Sequence, residues 1–198
     1  LFGANELAMR RRLQELKDEA DGGSGMLVTN MSVVDGRDAK PNDVLGPCMA
    51  PPFLAPKRLV IVEHLLERFE ARGGPRGPRA LGVWEQVPEE LGRGIPWTTT
   101  LVFFGQPFLV EGRQRAVTKT NPLVSALSKL PDVSVEEHPA LEKDHLLRYI
   151  NEEAAMRGIR FRRGGHFEAH EEHPPETDPA QLLANLLQGD TLSIANEL

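Results

Sequence analysis

Four consecutive aliphatic residues, Leu59-Val60-Ile61-Val62, constrain this chain more than any other feature. A strand covered on one face alternates apolar and polar residues, so an unbroken aliphatic run marks a strand buried on both faces, as in a parallel sheet. Directly before it stands a proline-rich corner, Ala50-Pro51-Pro52-Phe53-Leu54-Ala55-Pro56. The prolines deny this corner a regular element. Phe53 and Leu54 are therefore bulky apolar residues in a loop, either tucked under the domain or kept for a partner.

Apolar spacing places further elements around that strand. Asn5 precedes a helix with Met9, Leu13, Leu16 and Ala20 on one face, ended by Asp21-Gly22-Gly23. Residues 26–34 read as a strand stopped by Asp35-Gly36, residues 41–49 as a short helix, and residues 64–72 as helical. A Gly/Pro/Arg-rich insertion fills residues 72–100 around a helix at 79–91, and residues 99–104 form another strand. Asn121-Pro122 starts a helix with Leu123, Val124, Leu127 and Leu130 inward, and Val133-Ser134-Val135 reads as a last strand. Strands alternating with helices imply a parallel sheet with helices on both faces.

After Pro139 the strands cease. Residues 142–157 give a helix with Leu146, Leu147, Ile150 and Ala154 on one side. Asp178-Pro179 starts another, carrying Leu182, Leu183, Leu186 and Leu187, and Asp190-Thr191 starts a third. The expected organisation is an α/β domain over 1–139 and a small helical, lid-like domain over 140–198, truncated at its end. The chain starts without Met and stops inside an expected helix, so it reads as a fragment.

Composition narrows the function classes. A net charge of -6 argues against a surface that holds nucleic acid alone by neutralising phosphates. The single cysteine, Cys48, excludes an internal disulfide, fits a reducing cytoplasm and reads as a small core residue. No apolar run reaches the roughly 18 residues of a membrane span.

An α/β domain followed by a small helical one is the build of AAA+ ATPases, whose phosphate loop requires G-x-x-x-x-G-K-[ST]. This chain has no Gly-Lys pair; the first turn is Gly3-Ala4-Asn5-Glu6, with an acid where phosphate would sit, and Val62 leads to Glu63-His64 rather than to an acidic pair. The sequence describes an AAA+-like sheet with a degenerate phosphate loop, without cofactor or catalytic residues. His166, His170 and His173, interleaved with Glu168, Glu171 and Glu172, are the candidates for zinc. Their order misses the H-E-x-x-H spacing, and flanking Gly164-Gly165 and Pro174-Pro175 favour a solvated insertion, so no metal is expected. The basic clusters at 10–12, 72–79 and 157–163 read as solvated faces.

Several segments together resemble the delta subunit of the bacterial DNA polymerase III clamp loader. Leu1-Phe2-Gly3-Ala4-Asn5-Glu6 resembles that family's first strand and decayed phosphate loop, and Val33-Val34-Asp35-Gly36 the end of its second strand. Pro52-Phe53-Leu54 with Lys57-Arg58-Leu59-Val60-Ile61-Val62 resembles its clamp-contacting tip and the strand that follows. Lys119-Thr120-Asn121-Pro122-Leu123 resembles its K-x-N-P-L helix start. Pro139-Ala140-Leu141 with Leu147-Arg148-Tyr149-Ile150, and Gly189-Asp190-Thr191-Leu192 with Ala195-Asn196-Glu197-Leu198, resemble parts of its second domain. Residues 72–100, 108–118 and the His/Glu tract look like insertions, and Pro52 replaces a frequent aliphatic residue.

The resemblance implies a clamp-loader subunit of a DNA polymerase (nucleotidyltransferase) holoenzyme, working in the cytoplasm during DNA replication. Such a subunit binds and opens the sliding clamp without hydrolysing ATP, with Pro52, Phe53 and Leu54 as the clamp contact. Other partners would be the remaining loader subunits, through a C-terminal collar domain absent here; DNA would be met only within the assembled complex, and no membrane is involved. Two alternatives stand beside it: a nucleotide-hydrolysing or metal-dependent enzyme with an atypical site, and an interaction module for another partner.

Overall fold

The computed structural model describes residues 1–70, 80–161, 178–187 and 189–198. Its centre is strand β3 (Arg58–Glu63), where Leu59, Val60, Ile61 and Val62 are all buried. β3 pairs in parallel with β2 (Met31–Asp35) on one side and β4 (Thr99–Phe104) on the other, Val60 lying opposite Ser32 and Leu101. On the far side of β4 runs the short β1 (Phe2–Gly3), itself parallel to β7 (Glu137–His138). The bridge between Phe2 and Gly105, and the bond from Gly105 N–H to the Leu1 carbonyl (2.9 Å), join both sets. The resulting order is β2-β3-β4-β1-β7, all parallel.

Both faces of this sheet are covered, which the aliphatic run required. Helix α1 (Glu6–Asp21) lays Met9, Leu13 and Ala20 against Leu59, Ile61, Val102 and Phe104. On the other face α3 (Pro41–Met49), α4 (Gln86–Arg93) and α5 (Pro122–Leu127) pack Val44, Leu45, Val87, Leu123, Val124 and Leu127 around Val62, Phe2 and Leu66. Each fully buried aliphatic side chain contributes about 1.5–3 kcal/mol.

Cys48 is among these core residues, its thiol donating to the Val44 carbonyl at 3.2 Å. Burial pushes the thiol up to about 11, so at pH 8 only about one thiol in a thousand is ionised. The folded protein is expected to resist a disulfide-exchange reagent at pH 8 and to react at once in denaturant. Fast labelling of the native protein would contradict this burial.

Several segments differ from their sequence-based expectation. The strand expected over residues 26–34 is present only from Met31, in β2; a single turn of helix, α2 (Leu27–Asn30), precedes it. Residues 64–70 hold only a 3-10 turn, Leu66–Arg68, after His64 at φ 58. The helix expected over 79–91 is a 3-10 turn, Gly82–Glu85, followed by α4. Residues 108–118 contain an antiparallel hairpin, β5 (Phe108–Val110) and β6 (Arg113–Arg115), closed by Glu111-Gly112 with both φ positive, the two-residue turn that suits strand twist. The last strand lies at Glu137–His138 rather than Val133–Val135.

Close contacts divide the chain into two units, Leu1–Ala4 with Ala8–His138, and Asn5–Leu7 with Pro139–Leu198. In the second, α6 (Lys143–Met156), α7 (Pro179–Leu186) and α8 (Thr191–Glu197) enclose Leu146, Ile150, Ala180, Ala184 and Ile194. Asp178 and Asp190 cap α7 and α8 by accepting from backbone N–H groups. On α7 the buried residues are Ala180 and Ala184, whereas Leu182 and Leu186, expected inward, are exposed. No helix among the described residues is long and apolar enough to cross a membrane.

Candidate functional site

A parallel sheet offers two ends. Ligands of open α/β sheets bind beyond the carboxyl ends of the strands, and at that end this chain spends its groups on its own structure. β1 ends at Gly3, φ 138, where the glycine serves packing: a Cβ there would lie 2.1 Å from the His138 carbonyl oxygen of β7. Gly36, after β2, is needed for the same reason, since a Cβ would come within 2.4 Å of the Leu65 Cβ.

Three acids at this end accept hydrogen bonds, although Glu67 Oε2 is buried without a partner. Asp35 takes the Arg37 guanidinium at 3.0 Å, which holds its carboxyl at about 2. Glu67 accepts from the Gln106 N–H at 2.6 Å, and burial raises its carboxyl above the usual range. The buried Glu70 accepts from the Thr118 N–H (3.0 Å), the Thr118 hydroxyl (2.9 Å) and the Asn121 amide (3.1 Å). No lysine stands in the turn that follows β1, and Glu6 does. A cavity of about 850 Å³ lies beside β4, lined by Leu16, Leu91, Leu101, Leu127 and Leu130, with the Arg12–Glu136 ion pair on its wall. Its lining is mixed, with Arg93, Thr99, Thr100, Asp132 and Ser134 beside the leucines.

The other end, where the strands begin, is apolar and open. The residues just before β3 place Phe53 59% exposed and Leu54 74% exposed, with Pro52 half-buried. Phe53 therefore does not pack beneath the aliphatic strand. Prolines 51, 52 and 56 restrict the loop, and Leu54 adopts φ 52, a left-handed conformation that costs a non-glycine residue about 1–2 kcal/mol.

Two more exposed apolar residues precede the neighbouring strands: Val28, 86% exposed on α2 before β2, and Trp97, 85% exposed before β4. Hydrogen bonds tie the Trp97 segment to its neighbours, from the Arg58 N–H to the Thr98 carbonyl (2.8 Å) and from the Thr99 hydroxyl to the Cys48 carbonyl (3.0 Å). The start of the sheet thus carries Val28, Met49, Phe53, Leu54 and Trp97 at one end. Tryptophan, tyrosine and arginine dominate binding hot spots, so an outward Trp is informative.

Trp97 was not singled out from the sequence, although the signal that marks Phe53, an aromatic beside proline in a loop, is repeated in Pro96-Trp97. The buried Asn30, which bonds the Phe53 main chain, was missed as well, because its partner is 23 residues away. The histidine tract at 166–173 and the basic cluster at 72–79 lie outside the described residues.

The chain matches no protein-family model and no curated protein. Its fold is similar to that of the DNA clamp loader delta protein (YqeN) of Bacillus subtilis, with a TM-score of 0.54 over 98% of this chain and 49% of that one. Sequence identity is 16%, and the chain spans about half the length of that protein. The likeness shows the fold alone, a parallel sheet with flanking helices followed by a small helical unit.

Proposed function

We propose that this chain is the N-terminal part of a clamp-loader delta subunit, which binds the sliding clamp and opens it during DNA replication without catalysis of its own. The observation that carries the proposal is the pair Phe53 and Leu54, exposed on a proline-restricted loop at the end of the sheet remote from any nucleotide position. A hydrophobic pair held in a fixed loop loses little entropy on docking into an apolar pocket. Residues 1–139 would carry the clamp contact and residues 140–198 a lid-like helical domain. The remaining loader subunits would join through a collar beyond this chain, and DNA would be met in the assembled cytoplasmic complex. The fold it shares with a clamp loader delta protein supports the same assignment. The direct test is capture of the sliding clamp of the source organism on the immobilised protein; absence of binding at micromolar concentrations would overturn the proposal.

The same reading predicts the response to nucleotide. With Glu6 and no lysine in the first turn, ATP is expected to bind no tighter than roughly millimolar, about 4 kcal/mol. Titration calorimetry with Mg-ATP checks this, and a micromolar dissociation constant would restore the enzyme alternative.

A further inference from the structure

We infer that Asn30 is the positioning residue of the docking tip: its carboxamide fixes the main chain of Phe53 and thereby presents Phe53 and Leu54 outward. Asn30 ends α2 and is fully buried, an unfavourable place for a carboxamide unless its donors and acceptor are used. They are used on the loop. Asn30 Oδ1 accepts from the Phe53 N–H at 2.6 Å, and Nδ2 donates to the Phe53 carbonyl at 2.8 Å and to the Met26 carbonyl at 2.9 Å.

A side chain that both accepts from and donates to one residue's main chain copies what a paired β-strand does. The loop needs this substitute because it has no strand partner and its prolines supply no N–H. Among the described residues, no other side chain bonds the main chain of residues 51–56. Both polar groups of Phe53 are thus satisfied from below, which leaves the ring outside. The next residue, Leu54, is held in its left-handed conformation beside this clasp. Asn30 therefore governs the orientation of the tip without touching the partner, which no charge or composition rule reveals.

The inference rests on the clamp-docking reading, and the test separates the two. Phe53 amide exchange and affinity for the immobilised sliding clamp are measured on the wild type, Asn30→Asp, Asn30→Ala and the double variant Phe53→Ala, Leu54→Ala. Asn30→Asp keeps the shape but turns the donor facing two carbonyls into an acceptor, and it carries the test if Asn30→Ala fails to fold. Expected are Phe53 amide exchange faster by about tenfold or more, clamp affinity lower by about tenfold, and no further loss when the Asn30 change is added to the double variant. Loss of binding in the double variant alongside wild-type binding by the Asn30 variants would overturn the positioning role alone. An equal further loss in the tip-less background, or an unchanged Phe53 amide, would overturn it too. Normal binding by the double variant would overturn the docking reading and the role of Asn30 within it.

Discussion

Replacing Phe53 and Leu54 together by alanine is expected to weaken binding to the sliding clamp about a hundredfold or more, with the fold intact. Both side chains are more than half exposed in the free chain, so their area leaves water only on docking. Burial of such groups is worth on the order of 2 kcal/mol each, and two anchors together exceed the 2.7 kcal/mol or so that a hundredfold change represents. Exposed positions contribute little to folding; the melting temperature should fall by no more than about 2 °C. Affinity by surface plasmon resonance and melting by calorimetry, taken on the same variant, check both halves. A large loss of stability with normal clamp binding would place these residues in the core and remove the site.

The exposed loop at 51–56 was legible because it breaks a rule: proline excludes regular structure where bulky apolar residues stand. The strand after it was legible because only burial on both faces accounts for four aliphatic residues in a row. Other segments were ambiguous for physical reasons. In residues 26–34 a Met/Leu/Val pattern is compatible with either a strand or a helical turn, and short apolar runs do not distinguish them. Here the segment divides: the turn takes Leu27–Asn30 and sets Asn30 beneath the loop, a contact across 23 positions that local periodicity does not encode, and the strand takes over at Met31. On α7 two apolar stripes compete, and the inward one contains alanines, Ala180 and Ala184, while Leu182 and Leu186 face out. The last strand was displaced to Glu137–His138 because β1 recruits it through backbone bonds, which charged side chains do not forbid.

Asn121→Ala is expected to lower stability by about 3 kcal/mol, a drop of about 10 °C in melting temperature for a chain of this size. The residue is 1% exposed and bonds on both sides of its carboxamide. Oδ1 caps α5 by accepting from the N–H groups of Leu123 (3.1 Å) and Val124 (3.3 Å). Nδ2 donates to the Leu66 carbonyl (2.9 Å) and to the Glu70 carboxylate (3.1 Å). Loss of the cap alone costs about 1 kcal/mol. The remainder, about 1–3 kcal/mol, comes from leaving the Leu66 carbonyl and one Glu70 oxygen buried without this donor. Asn121→Asp separates these contributions: it keeps the cap acceptor but sets a carboxylate against Glu70, so at neutral pH it should destabilise at least as much as alanine. Calorimetric melting of both variants checks the ordering. A loss near 1 kcal/mol for alanine with none for aspartate would mean that the cap is the only interaction that matters and that Glu70 is satisfied by Thr118 alone. The Asn-Pro pair that starts this helix would then serve α5 itself, rather than joining α5 to the turn that follows β3.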